Sequence, residues 1–112
     1  MIIKEKTVNG LPILCLNGKL DVFSKNNFKE MAEKYQGDGT KGLILDFEGI
    51  TFVDSIGLGT LTFVGKIFQK LKGRVILVNP QEPVKSLFLK MNVGEIIPMY
   101  KTDENYSQFS EI

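Results

Sequence analysis

Residues 43–71 run from a strand-length apolar segment through a polar turn into a helical apolar repeat, a succession that commits the chain to packing helices against strands. Leu43-Ile44-Leu45-Asp46-Phe47 reads as a buried strand. Leu61, Val64, Phe68 and Leu71 then recur at helical spacing and give a helix the inner face it needs. Between them stands Asp54-Ser55-Ile56-Gly57-Leu58-Gly59. Ser55 falls at or near the helix N-cap, with its hydroxyl toward solvent and free backbone N–H groups close by. Local spacing allows two readings of that serine: a simple cap, or a carrier of phosphate.

The flanking segments extend the same alternation. Ile2 to Val8 has strand character, Asn9-Gly10 is a two-residue hairpin signal, and Leu11 to Leu16 returns antiparallel. Leu14 and Leu16 share one face of that strand, Ile13 and Cys15 the other, and Cys15 reads as a small core residue. Asn17-Gly18-Lys19-Leu20-Asp21 reads as a loop, and Ser24 as the cap of a helix whose inner face is Phe28, Met31, Ala32 and Tyr35. Gly37-Asp38-Gly39 ends that helix. Arg74 to Val78 is a further strand, Asn79-Pro80 a turn, and Pro83 opens a helix with Val84, Leu87, Phe88 and Met91 inward. Asn92 and Gly94 stop it, Ile96-Ile97-Pro98-Met99 is an edge strand, and a last short helix starts at Thr102 with Tyr106 and Phe109 packing inward.

This order predicts one α/β domain over residues 1–112. Its mixed, mostly parallel sheet has about five strands, with an antiparallel N-terminal hairpin and about four helices. Right-handed crossovers put Ser55 and the loop around Asp21 at the same end of the sheet, outside the carboxyl ends of the strands. Gly57 and Gly59 weaken the opening turn of their helix. Either they admit another molecule to the backbone, or they let the helix pack closely on the sheet.

What the chain lacks narrows its chemistry. It has no histidine, the commonest general base and metal ligand, and its one cysteine provides neither a disulfide nor a zinc cluster. No GxGxxG or GxxxxGK[ST] loop is present to cradle a nucleotide. No cofactor or metal is expected, and no catalytic residue. A net charge of +1 gives no field strong enough to argue for nucleic acid or anionic membrane as partners, and neither is expected. No apolar run approaches the roughly 18 residues of a membrane span and no signal peptide opens the chain; with one cysteine and no internal disulfide, a reducing cytoplasm is the expected setting.

Four segments in this order resemble the STAS domain, named for sulphate transporters and anti-sigma factor antagonists. They are Asn17-Gly18-Lys19-Leu20-Asp21, Leu43-Ile44-Leu45-Asp46-Phe47, Val53-Asp54-Ser55-Ile56-Gly57-Leu58-Gly59 and Val75-Ile76-Leu77-Val78-Asn79-Pro80. The resemblance implies a bacterial anti-sigma factor antagonist working by partner switching. Unmodified, such a domain binds an anti-sigma factor that is also a serine kinase, and so frees a sigma factor for transcription. Phosphorylation by that kinase releases the antagonist, and a metal-dependent phosphatase resets it. The phospho-acceptor maps to Ser55 and the loop aspartate beside it to Asp21. Asp54, Ser55, Ile56, Gly57 and Leu58 fall with Asp21 on the surface expected to meet the partner. One departure is Ile56, where the family carries a small residue. The larger side chain either restricts the kinase's approach or marks a different partner.

Two other readings stand beside this one. The same domain could be an adaptor in a stress-signalling scaffold or a transporter complex. A small ligand- or nucleotide-binding enzyme could use a pocket at the strand ends, against which the missing histidine and phosphate loops count. Asp21 is open between a capping carboxylate and a functional one. Of the apolar cluster Ile50, Phe52, Val53, Ile56 and Leu58, alternate members must point inward, leaving two or three for partner contacts. Lys66, Lys70, Lys72 and Arg74 read as a solvated face that complements the helix dipole. One domain of modest charge is compatible with a monomer.

Overall fold

Asn9 and Gly10 both take positive φ (53° and 80°), the geometry of the tight hairpin turn that joins β1 (Ile2–Val8) to β2 (Leu11–Leu20). The computed structural model describes residues 1–37 and 39–109, so Asp38 and the end of the expected C-terminal helix lie outside the described residues. After β2 come α1 (Lys25–Gly37), β3 (Gly42–Val53), α2 (Ser55–Lys70), β4 (Arg74–Val78), α3 (Glu82–Lys90), a 3-10 turn (Val93–Glu95) and β5 (Met99–Tyr100).

The five strands lie in sequence order, β1-β2-β3-β4-β5; β1 is antiparallel to β2 and the other pairings are parallel. Each crossover from β2 onward therefore steps the same way across the sheet. Right-handed connections then put every crossover helix on one face. The core follows that rule. Phe28 and Ala32 from α1, Leu61, Val64 and Phe68 from α2, and Val84 and Phe88 from α3 are buried with Leu14, Leu16, Leu43, Leu45 and Phe47 of the sheet. Phe47 and Phe88 meet edge to face, ring centroids 5.9 Å apart. Each fully buried side chain of this size stabilises the fold by about 1.5–3 kcal/mol.

The opposite face carries Ile13, Ile44, Ile76 and Val78, covered by Tyr106 and Phe109. These two do pack inward, as expected, but not from a helix. Asp103 accepts the backbone N–H groups of Asn105 and Ser107 and the Ser107 hydroxyl, and Tyr106 takes φ 52°, so the chain folds through turns. Among the described residues, three α-helices and one 3-10 turn thus stand where about four helices were expected. Cys15 is half-buried on this face, its Sγ 3.6 Å from the Tyr106 hydroxyl.

Several boundaries differ from the sequence reading for local reasons. Asn17 to Leu20 belongs to β2 rather than to a loop; the ladder with β3 shifts register between Cys15 and Asn17 and again between Gly18 and Lys19, where Gly18 takes φ 114°. Leu71 and Met91 stand at the C-caps of α2 and α3 and are exposed, past the last inward-facing turns. The last strand is only Met99–Tyr100, because the N–H groups of Ile96 and Ile97 turn back to Val93. It is the sheet edge expected of a segment next to Pro98.

Candidate functional site

The parallel ladder between β2 and β3 ends at Leu20 and Val53, and both chains leave the sheet there. One goes through Asp21 into α1, the other through Asp54 into α2. The Asp54 N–H donates to the Leu20 carbonyl at 3.2 Å, so the two exits are tied as they leave.

Asp54, not Ser55, is the N-cap of α2. Its backbone is extended, and its Oδ1 accepts the Gly57 N–H at 2.7 Å. Its Oδ2 accepts the Val22 N–H at 3.1 Å, so one carboxylate holds both the helix start and the neighbouring loop. Asp21 does similar work at α1. Its Oδ1 accepts from Phe23 and Ser24 N–H at 3.0 and 3.1 Å, while the Asp21 N–H donates to Ser24 Oγ at 3.0 Å. This reciprocal pair has the form of a capping box and orders the turn of residues 21–24 that leads into α1, with Ser24 directly before the helix and its carbonyl accepting the Phe28 N–H at 3.1 Å. The Ser24 hydroxyl donates to the Lys19 carbonyl at 2.7 Å.

Ser55 is thereby displaced into the first helical turn, and it is exposed. Among the described residues its hydroxyl has no hydrogen-bond partner. Capping needs no contribution from it, and the start of a helix favours added negative charge. Asp54 precedes it in the chain and holds the Asp21 loop through the Val22 N–H, and each of the two carboxylates accepts backbone N–H groups.

Gly57 is buried. A Cβ there would run into the Leu20 carbonyl, so the missing side chain serves the approach of α2 to the end of β2 and offers no surface to a partner. A Cβ at Gly59 would meet open space. Leu58 is partly buried against the core, and Ile50 and Val53 are buried, leaving Phe52 and Ile56 as the outward members of the expected apolar cluster. The structure adds Val22, Phe23 and Phe63 to them as exposed large apolar side chains. Val22 and Phe23 were hidden in a short polar context, since nothing in the pattern Asp21-Val22-Phe23-Ser24 says that a capping box will turn both side chains outward. Phe63 sits seven residues after Ile56, two helical turns along the same stripe, and could have been read from that spacing.

A separate cleft of about 630 Å³ lies beyond the carboxyl ends of β4 and β5, between Asn79-Pro80-Gln81 and the C-terminal turns. Within it the Tyr106 hydroxyl donates to Asp46 Oδ2 at 2.6 Å. Burial first, then the Asp46 carboxylate, then Cys15 hold that phenol well above its ordinary pKa, so it stays a protonated donor.

The sheet order, the capped turn and the serine at its tip define a family. The sequence model of the STAS domain matches residues 3–105, and the chain belongs to that family. An anti-sigma F factor antagonist from Paenibacillus polymyxa is 26% identical over 97 residues, spanning 86% of this chain and 83% of the relative. A crystal structure of a candidate anti-sigma factor antagonist from Thermotoga maritima superposes with a TM-score of 0.84 at 23% identity, covering 95% of this chain and 92% of that one. The Bacillus cell fate determinant SpoIIAA, in its phosphorylated form, gives 0.75 at 22% identity, with 96% of each chain covered. Among the described residues no helix is long and apolar enough to cross a membrane.

Proposed function

We propose that this chain acts as one unit, an anti-sigma factor antagonist switched by phosphorylation of Ser55. The observation that carries the reading is the exposed Ser55 hydroxyl, free of hydrogen bonds among the described residues and mounted on a frame pinned by Asp54. A relative named as an anti-sigma F factor antagonist and a similar fold known in a phosphorylated form support it. In the unmodified state the surface around Ser55 binds an anti-sigma factor. The same partner, acting as a serine kinase, transfers the γ-phosphoryl group of ATP to Ser55 Oγ, and a metal-dependent phosphatase removes it by hydrolysis.

Phosphate adds a charge of about −1.5 to −2 at neutral pH. The helix start tolerates that charge, so the fold changes little, while an interface formed around a neutral hydroxyl loses its fit through repulsion and desolvation. Such a protein is a binding module rather than a catalyst. Incubation with its anti-sigma kinase and ATP is expected to modify Ser55 and no other residue, as read by phosphopeptide mapping. Stoichiometric phosphate elsewhere with none on Ser55 would overturn the assignment.

A further inference from the structure

The opening turn of α2 offers few side chains to a visitor. Gly57 is buried, Gly59 is exposed but bare, and Leu58 packs against the core. Of residues 55–59, only Ser55 and Ile56 therefore hold an exposed side chain away from the molecule. One is the acceptor hydroxyl. The other is an apolar group, 45% exposed, on the very next residue.

The fold has little use for that apolar group. Ile56 belongs to neither of the two buried clusters. On the helix surface its i+3 neighbour is the bare Gly59, and its i+4 neighbour Thr60 turns its hydroxyl back to the Ile56 carbonyl at 2.9 Å. A β-branched residue is also a slightly poorer helix former than alanine. Nothing in the packing asks for isoleucine here.

An enzyme that phosphorylates Ser55 has to deal with it. Transfer brings the γ-phosphorus to within about 3–3.5 Å of Ser55 Oγ, in a site closed to water. Consecutive Cα atoms are only about 3.8 Å apart, so a site closed over Ser55 also covers Ile56. The sec-butyl side chain then either enters a recess or holds the two proteins apart.

We propose that Ile56 is a specificity-determining residue for phosphorylation of Ser55. The kinase that accepts this protein carries an apolar recess for the Ile56 side chain beside its phosphoryl-transfer site, and a kinase without that recess is kept out. This rests on the Ser55 reading of the function and names the feature that selects the partner. Filling the recess removes apolar surface from water on both proteins, while the missing recess leaves Ser55 Oγ too far from the phosphorus for transfer.

The test is steady-state phosphorylation of wild type, Ile56→Val and Ile56→Ala by two purified anti-sigma kinases. One comes from the same organism; the other is chosen because its own antagonist carries serine or alanine after the acceptor serine. With the first kinase, Ile56→Ala is expected to lose at least tenfold in kcat/KM, mainly through KM, with Ile56→Val in between. With the second, Ile56→Ala is expected to be the better substrate by at least tenfold. Thermal unfolding of both variants is expected to match wild type. Ile56→Ala within threefold of wild type with the first kinase would overturn the proposal, as would an equal loss with both kinases, which would make Ile56 a support for Ser55 rather than a selector. Absence of phosphate from Ser55 of the wild type, read by phosphopeptide mapping with the first kinase, would instead overturn the Ser55 reading itself.

Discussion

Leu20 offers a single carbonyl at the end of β2, and two residues of the motif depend on it. Asp54 donates its N–H to that oxygen, and Gly57 leaves room for it where a Cβ would stand. Gly57 and Gly59, two residues apart in the same helical turn, therefore have opposite expected responses to alanine. Gly59→Ala fills open space and is expected to raise stability by about 0.5–1 kcal/mol, because glycine is the poorer helix former. Gly57→Ala is expected to lower stability by about 1–3 kcal/mol, since a backbone carbonyl cannot step aside without breaking the bond to Asp54. Urea midpoints of the two variants check this, and a stable Gly57→Ala protein would mean that α2 has slack against the sheet. At this scale the sequence was half legible. That a serine would stand at the strand-to-helix turn followed from pattern alone. That Asp54 would take the cap and push Ser55 one place into the helix did not, because both residues are good caps and only the tie to Val22 chooses between them.

Among the elements, the strands and the amphipathic helices were the most legible, since a period of two or of 3.6 survives small boundary errors. The segments that escaped are those whose shape is set by distant partners. Asn17 to Leu20 looks like a loop by composition, yet β3 holds it in the sheet through two register shifts. The C-terminal turns looked helical, yet Asp103 and the Tyr106–Asp46 bond fold them as a strap over Ile13, Ile44, Ile76 and Val78. That strap has a pH signature. The Tyr106 phenol is held protonated in the folded protein, whereas in the unfolded chain it ionises near pH 10. Above that pH the unfolded chain binds fewer protons than the folded one, so stability falls as pH rises. Tyr106→Phe is expected to lower the urea midpoint at neutral pH, because Asp46 loses its hydroxyl donor, and to shrink the alkaline decline. Midpoints between pH 8 and about 11 test it, and a variant whose decline matched wild type would place the alkaline sensitivity elsewhere.

In the molecule as a whole, one-way crossovers put the helices on one face of the sheet and the turns of β2 and β3 side by side at its end. The fixed frame of Asp21, Asp54 and Leu20 presents Ser55, and Phe23, Phe52 and Ile56 are exposed apolar side chains on the segments that lead through it. A rigid frame with one modifiable atom at its tip suits a switch that changes affinity rather than shape. The most direct measurement is the affinity of the anti-sigma kinase for the protein before and after stoichiometric phosphorylation at Ser55, with circular dichroism and thermal unfolding recorded on both forms. The account predicts a loss of affinity of at least tenfold with an unchanged spectrum and a melting temperature within a few degrees. Equal affinity for the two forms, or a loss accompanied by unfolding, would contradict it.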